Sequence, residues 1–340
     1  MLTIRSLLSL LPLLTSALPA PQSRNGNGTP GPSIPLYPQQ QAATLPQEIV
    51  SSSSGTLILD TNATVANVNL RFRISAPARL FTTTTAVPGA SSEPNTPSPF
   101  GLNILLHGDG GQSFFDFPNQ APQSNLLGVV ILAPSENLLW GQRTGPPSGL
   151  SRADGAADSL AIRSLILDVL PSLVSFDPTN VFFTGVSGGA LLLSGFFMPA
   201  HLADFPNAGV LLMCGALEPQ VDVVNASGFI GNSKIHFQST LGELDTLQES
   251  IPAAIRAYEG IAAAEGLSAR EIGGLQTVDN TPDGGHCEFD GFGFVSGIQL
   301  IADNFANIMQ GGDGFVEGIE TATVLKSVVG REDLVFITED

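Results

Sequence analysis

Residues 179–191 constrain the fold more than any other part of this 340-residue chain. Their apolar, β-type run ends in Gly-Val-Ser-Gly-Gly and passes directly into a helix-like stretch, with Ser187 at the turn. A serine on a sharp strand-to-helix turn brings the positions two before and two after it into close contact, so both must be small. Gly185 and Gly189 meet that requirement. The segment predicts a nucleophile elbow, with the N–H of Gly188 directed at developing negative charge.

Strand-like and helix-like stretches alternate through the middle of the chain. Continuously apolar runs, typical of buried parallel strands, lie at residues 101–107, 126–134 and 180–186. Residues 152–174 repeat apolar side chains at helical spacing between two of these runs. We expect a further strand at 270–278 and a closing helix at 291–309. The alternation predicts an α/β fold with a mostly parallel central sheet covered by helices on both faces.

Residues 1–20 have the composition of a secretory signal peptide. Arg5 precedes an apolar stretch at 7–14, and small residues follow at 15–17. The apolar stretch is too short for a transmembrane helix. We therefore expect a secreted, extracellular protein without stable membrane association. Sequons compatible with N-glycosylation on that route occur at Asn27, Asn62 and Asn225.

Composition divides the remaining chain into three parts. Residues 21–50 are rich in Pro, Ser and Gln, which predicts a disordered linker. Residues 51–310 carry the alternating pattern, and a hydrophobic content of 43% over the whole chain allows this domain a sizeable core. Residues 311–340 form a C-terminal extension to which the pattern assigns no role.

The charge balance narrows the range of partners. The chain has 13 basic and 31 acidic residues, for a formal net charge of −18. Such a surface repels phosphate backbones and anionic membranes. We therefore expect neither nucleic acid nor a membrane surface as a partner.

Only two cysteines are present, Cys214 and Cys287. In an oxidising compartment such a pair is expected to be bridged. The bridge would hold in place the loop that carries His286. The alternative is two buried free thiols, because sequence does not show whether the two Cβ atoms come close enough.

A glycine-rich turn, His-Gly-Asp-Gly-Gly at residues 107–111, directly follows the strand-like run from residue 101. A turn of this kind lets a backbone N–H face the serine and complete an oxyanion hole. Gly108, Asp109 and Gly110 are the candidate donors. The alternative is an ordinary tight turn.

Two later loops offer an acid and a base. Leu-Gly-Glu-Leu-Asp, residues 241–245, follows a strand-like run, and a carboxylate there could accept the Nδ1 proton of a histidine. We assign that role to Asp245, with Glu243 as the alternative. His286, in the loop Gly-Gly-His-Cys-Glu-Phe, is the only one of the four histidines that lies after Asp245.

Together these segments, over residues 101–289, resemble the α/β-hydrolase superfamily. Within it they are most similar to secreted feruloyl esterases, acetyl xylan esterases and polyhydroxyalkanoate depolymerases, many of which carry Ala at the position of Gly188. The resemblance implies a Ser187 nucleophile, a His286 base and an Asp245 orienting acid, in the chain order of that fold. It implies an oxyanion hole from Gly188 and the 107–111 turn, and neither a metal nor an organic cofactor.

The chemistry expected from this resemblance is hydrolysis of a small-molecule or polymer-linked carboxylic ester through an acyl-enzyme. The same triad could serve a secreted peptidase or amidase. The fold could also belong to a non-catalytic secreted binding protein or effector. Phe114, Phe115 and Trp140 follow presumed strands and could line an acyl or aromatic pocket, although aromatic residues there are as often part of the core.

Overall fold

A ten-stranded sheet organises the part of the chain that the computed structural model describes, which comprises residues 48–51, 56–111, 114, 125–142, 149–319 and 324–337. The spatial order of the strands is β1-β2-β3-β5-β4-β6-β7-β8-β9-β10. The strands are β1 Ile49–Ser51, β2 Leu57–Val65, β3 Val68–Ala76, β4 Gly101–Leu106, β5 Leu126–Leu132, β6 Val181–Val186, β7 Gly209–Met213, β8 Lys234–Gln238, β9 Gln276–Asp279 and β10 Lys326–Ser327. The predicted signal peptide, most of the linker, Asn27 and Phe115 lie outside the described residues.

The six central strands, β5-β4-β6-β7-β8-β9, pair in parallel. Strands β1, β2 and β3 are antiparallel at one edge, where Ala66 and Asn67 form a tight turn with positive φ at both residues. Strand β10 is antiparallel to β9 at the other edge. The sheet is therefore mostly parallel, as predicted, and the predicted α/β fold class is confirmed.

Helices connect the parallel strands. They are α1 Gly155–Ser164, α2 Leu170–Leu173, α3 Gly188–Leu192, α4 Met198–His201, α5 Ala226–Phe229, α6 Asp245–Ala264, α7 Ala269–Leu275, α8 Phe294–Asp303 and α9 Phe305–Met309. Two π-helical turns, Leu165–Val169 and Leu193–Phe197, continue α1 and α3. None of the helices in the described residues is long and apolar enough to cross a bilayer.

Each face of the sheet carries its own apolar core, because successive strand residues point to opposite faces. On one face, Ile104 of β4 belongs to a cluster that includes Ile162 of α1 and Ile255 of α6. On the other face, Leu105 belongs to a cluster that includes Ile298 of α8 and Phe305 of α9. Helices therefore cover the sheet on both sides, which leaves the carboxyl ends of the parallel strands to form a site.

The predicted strand at 270–278 is wrong for its first six residues. Residues Ala269–Leu275 form helix α7, and only Gln276–Asp279 form a strand. The physical reason is a capping box, in which the Ser268 side chain accepts from the N–H of Glu271 and the Glu271 carboxylate accepts from the N–H of Ser268. The predicted closing helix is two helices, α8 and α9, separated at Asn304.

Candidate active site

Ser187 occupies a strained turn between β6 and α3. Its φ of 50° and ψ of −116° are unfavourable for a non-glycine residue. A Cβ at position 185 would lie 2.6 Å from the backbone nitrogen of Ala190, and one at position 189 would lie 2.3 Å from the carbonyl oxygen of Leu106. Both glycines are therefore required by close backbone approach, as the sequence pattern predicts.

The side chain of Ser187 is hydrogen-bonded to a histidine. Its hydroxyl donates to Nε2 of His286 across 3.0 Å. The other ring nitrogen, Nδ1, donates to Oε1 of Glu243, whose side chain is completely buried. Glu243 also accepts from the N–H of Leu244 and from the hydroxyl of Ser239. The three side chains form a Ser-His-Glu relay across the carboxyl end of the sheet.

The structure corrects the predicted acid. Asp245 is exposed and is the first residue of α6, and the carboxylate against His286 is that of Glu243. A carboxylate in the first turn of a helix interacts favourably with the helix dipole, which accounts for Asp245 without a relay role. Glu243 lies in the preceding loop, where the chain turns inward towards the histidine loop.

Three hydrogen bonds to backbone carbonyls join the loops that carry Glu243 and His286. The Thr240 hydroxyl donates to the Gly285 carbonyl at 2.9 Å, the Leu241 N–H to the Pro282 carbonyl at 2.9 Å, and the Gly242 N–H to the Gly284 carbonyl at 3.0 Å. These bonds set the distance between the acid and the base.

The predicted disulfide is confirmed. Cys214 and Cys287 are bonded, with 5.5 Å between their Cα atoms, although they are 73 positions apart in sequence. Cys214 immediately follows β7, and Cys287 is the next residue after His286. The bridge therefore anchors the histidine loop to the central sheet.

The 107–111 turn lies beside the nucleophile. A Cβ at Gly108 would be 3.6 Å from Cβ of Ser187. The N–H of Gly110 already donates to the Leu138 carbonyl, so this predicted donor is not available to an oxyanion. The N–H groups of Gly108, Asp109 and Gly188 donate to no backbone carbonyl of the described residues. These three groups remain candidates for an oxyanion hole.

His107 holds the 107–111 turn in place through two hydrogen bonds. Its Nε2 accepts from the Ala133 N–H at 2.9 Å and its Nδ1 donates to the Gly108 carbonyl at 2.6 Å. Complete burial lowers the pKa of His107 to about 4, although the bond to Gly108 opposes the shift. His107 is therefore neutral near pH 7 and acts as a structural link between the turn and β5.

The aromatic residues predicted to line a pocket lie in the interior. Phe114 and Trp140 are fully buried, and both rings pack against His107. Indole Nε1 of Trp140 donates to the His107 carbonyl at 2.8 Å. The structure therefore corrects the prediction for these two residues, which support the turn rather than contact a substrate.

An ion pair that the sequence pattern does not reveal lies beside the nucleophile. Oδ2 of Asp109 accepts from Nη2 of Arg152 at 2.6 Å, and Oδ1 accepts from the Trp140 N–H at 3.1 Å. Burial raises the pKa of Asp109, whereas Arg152, the Trp140 N–H and His286 oppose that rise. A Cβ at position 188 would lie 2.0 Å from Oδ1 of Asp109, so glycine after the serine makes room for this carboxylate.

Phe294 is a second residue that the sequence analysis missed. Its ring centroid lies 6.1 Å from that of His286, and its Cζ would be 3.3 Å from a Cβ at Gly108. Phe294 begins α8, and sequence periodicity marked it only as part of a closing helix. It places an apolar ring beside His286 and the 107–111 turn. In the described residues no group of three or more His, Cys, Asp or Glu side chains is arranged to hold a metal ion.

Neither a protein-family model nor a curated protein matches the sequence. Solved structures similar to the chain are esterases and related hydrolases. A thermostable esterase has 14% identity and a TM-score of 0.43 over 67% of this chain, and the match spans 55% of that esterase. A feruloyl esterase module from Clostridium thermocellum, complexed with sinapinate, has 13% identity and a TM-score of 0.43, with 76% of this chain and 94% of the module covered.

An S-formylglutathione hydrolase from Agrobacterium tumefaciens has 12% identity and a TM-score of 0.42, with 76% of this chain and 96% of that protein covered. Similarity this remote assigns no activity to the chain. Its function has to follow from its own residues.

Proposed function

We propose that the protein is a secreted serine hydrolase that cleaves carboxylic esters. The observation that carries the proposal is the continuous hydrogen-bonded relay from Ser187 through His286 to buried Glu243. A nucleophile within hydrogen-bond reach of a base, with that base oriented by a third group, is the arrangement that nucleophilic catalysis needs. The elbow presents Ser187 beside the backbone N–H groups of Gly188 and of the 107–111 turn, which supports acyl transfer over other chemistry.

The reaction has two steps. In the first, His286 takes the hydroxyl proton of Ser187 through Nε2 while the oxygen attacks the ester carbonyl. Glu243 stabilises the imidazolium through its bond to Nδ1. The histidine then gives the proton to the leaving alcohol, which leaves an acyl-enzyme on Ser187. In the second step the same histidine activates a water, and the acid is released.

The negative charge of each tetrahedral intermediate is stabilised by backbone donors. The proposed donors are the N–H of Gly188 and one N–H of the turn, from Gly108 or Asp109. Such a donor typically contributes a factor of about 10²–10³ in rate. Phe294 supports the proposal of an ester with an apolar part, because its ring lies beside that of His286.

The proposal includes an extracellular location for the protein. A disulfide is stable in an oxidising compartment, which supports an extracellular location. Asn62 and Asn225 are exposed, as a glycosylation site must be. The substrate is then a small-molecule or polymer-linked ester met outside the cell.

Labelling with a fluorophosphonate probe tests the proposed function. We expect the probe to label wild type on Ser187, as mapped by mass spectrometry, and to label neither Ser187→Ala nor His286→Ala. Asp245→Ala is the matched control and should label like wild type, because Asp245 lies outside the relay. Absence of label on folded wild type would reject an activated serine and favour a non-catalytic binding protein. Comparison of ester and amide substrates then separates an esterase from an amidase.

A further inference from the structure

The C-terminal segment 326–337 reaches the base of the two loops that carry Glu243 and His286. Ammonium Nζ of Lys326, on β10, donates to Oδ1 of Asp279 at 3.2 Å and to Oγ1 of Thr281 at 3.3 Å. Asp279 is the last residue of β9, and its side chain is completely buried. A buried carboxylate needs a compensating charge, so the Lys326 ammonium is an integral partner of Asp279.

Asp279 connects the strands from which both loops leave. Its carboxylate accepts from the N–H and hydroxyl of Thr281, at the start of the histidine loop. Its Oδ2 accepts from the side-chain amide of Gln238 at 3.2 Å, and its carbonyl accepts from the Ser239 N–H at 2.8 Å. Ser239 in turn donates to Glu243. A short chain of hydrogen bonds therefore runs from Lys326 to the acid of the relay.

The same segment contacts both loops again further along the chain. The N–H of Ile337 donates to the Leu241 carbonyl at 2.9 Å, and the side-chain amide of Asn280 donates to the Val335 carbonyl at 2.9 Å. Leu241 is two residues before Glu243, and Asn280 lies at the start of the loop that ends at His286. The segment is thus bonded to the acid loop on one side and the histidine loop on the other.

We propose that Lys326 is a positioning residue, and that the segment 326–337 completes the active site by holding the Glu243 and His286 loops in register. The proposal rests on the proposed function, since it assigns a catalytic consequence to a structural tie. The tie acts through Asp279 and does not touch the substrate. Its loss lets the acid and base loops separate, which misaligns His286 relative to Ser187.

The test compares full-length Lys326→Met with Arg256→Met. Arg256 also ties the tail, through the Glu332 carbonyl and the Asp333 carboxylate, but it is exposed and bonds neither loop. With p-nitrophenyl acetate we expect Lys326→Met to lower kcat roughly tenfold to a hundredfold, because small misplacements of catalytic groups have effects of this size. KM should stay unchanged, and Lys326→Arg should recover most of kcat.

Arg256→Met should change kcat by less than about twofold, because exposed ion pairs contribute little. The double variant Lys326→Met/Asp279→Asn removes both charges of the pair and covers the case in which Lys326→Met folds poorly. We expect the double variant to regain thermal stability while its kcat stays low, because the tie to the tail is still missing. Wild-type kcat in a stable double variant would overturn the proposal.

Hydrogen exchange provides a readout that does not depend on activity. The amides of Leu241 and Gly242 bond across the two loops and should exchange faster in Lys326→Met than in Arg256→Met, while amides of β4 and β6 exchange as in wild type. Unchanged exchange of the two loop amides would overturn the positioning role. If wild type cleaves no ester and takes no fluorophosphonate label, the proposed function fails, and the exchange measurement still decides whether Lys326 holds the loops.

Discussion

The two halves of the candidate site are held by different forces. The nucleophile half, residues 107–111 and 185–189, depends on backbone approach, since a Cβ at position 185 or 189 would overlap neighbouring backbone atoms. The base half, residues 239–244 and 282–288, depends on side-chain hydrogen bonds, a disulfide and the Lys326–Asp279 ion pair. Steric requirements of the first kind leave a short motif in the sequence. The hydrogen bonds and the ion pair of the second kind join distant segments and leave none, and only the disulfide could be anticipated, from the two cysteines.

Removal of the acid of the base half, Glu243, should cause the largest loss of activity. Glu243→Ala removes the partner of His286 Nδ1, and loss of a triad acid typically costs about 10⁴ in kcat. Asp245→Ala is the matched control two residues away and should stay within about twofold of wild type, as expected of a surface change. Steady-state kinetics on one ester measures both. A larger loss in Asp245→Ala than in Glu243→Ala would restore Asp245 as the acid.

How far the site could be predicted follows from this contrast. Gly185, Ser187 and Gly189 lie within five residues of each other, and their requirement is local, so the elbow could be recognised from sequence. Glu243 and Asp245 are both carboxylates in one short loop. Which of them is buried depends on the loop around Gly284, more than 35 positions away, and no local pattern encodes that contact.

The errors and omissions of the sequence-based predictions have two origins. The capping box at Ser268 and Glu271 is a local signal of a helix start and could have corrected the predicted strand at 270–278. In contrast, the Asp109–Arg152 pair and the packing of Phe294 against His286 join segments that only the tertiary fold brings together. Residues 311–340 offered no pattern because β10 is two residues long and is stabilised by its partner β9.

The second largest loss of activity should follow from Gly188→Ala, which tests the steric requirements of the nucleophile half. In Gly188→Ala the new Cβ would lie 2.0 Å from Oδ1 of Asp109. Either the turn or the helix start must shift, which disturbs the oxyanion donors, and we expect kcat to fall by about 10²–10³. The double variant Asp109→Ala/Gly188→Ala has room for the methyl group and should recover part of that loss.

Asp109→Ala alone is the control for the double variant, because it leaves Arg152 without its carboxylate partner. Kinetic constants of all four proteins form a double-mutant cycle. Additive effects of the two substitutions would show that Asp109 and Gly188 do not share the space that the structure assigns to them.

An effect of about 3 kcal/mol on the free energy of unfolding is expected from each of two buried histidines. His107 belongs to the nucleophile half, and His236 lies on β8, the strand that leads into the base half. Burial lowers the pKa of His107 to about 4 and that of His236, on β8, also to about 4. The folded-state pKa lies below the ordinary value of 6.5, so the unfolded chain binds more protons between pH 6.5 and 4, and stability falls as the pH falls through that window.

Urea unfolding at pH 7 and at pH 4.5 checks this effect for His107→Gln and His236→Gln. Each variant should lose less unfolding free energy between the two pH values than wild type does, because one source of proton uptake is gone. If only one substitution reduces the loss, the acid sensitivity belongs to that half of the site. A loss equal to that of wild type in both variants would assign it to other groups.

The smallest effect should be a change in preference between long and short esters in Phe294→Ala. Its ring adjoins His286, so Phe294→Ala enlarges the space beside the reacting carbonyl and removes an apolar contact. We expect kcat/KM to fall roughly tenfold for a p-nitrophenyl hexanoate ester and to change little for the acetate, since one or a few methylene contacts contribute about 1–3 kcal/mol. Phe292→Ala is the control, because Phe292 is exposed and belongs to the same segment.

The ratio of the two kcat/KM values, rather than either value alone, is the decisive quantity for Phe294. A backbone shift at the start of α8 would disturb His286 and lower both esters equally. A contact with the acyl chain lowers only the longer ester. An equal loss for both esters would therefore reject a contact between Phe294 and the acyl chain. It would instead assign Phe294 a role in positioning His286, against which its ring packs.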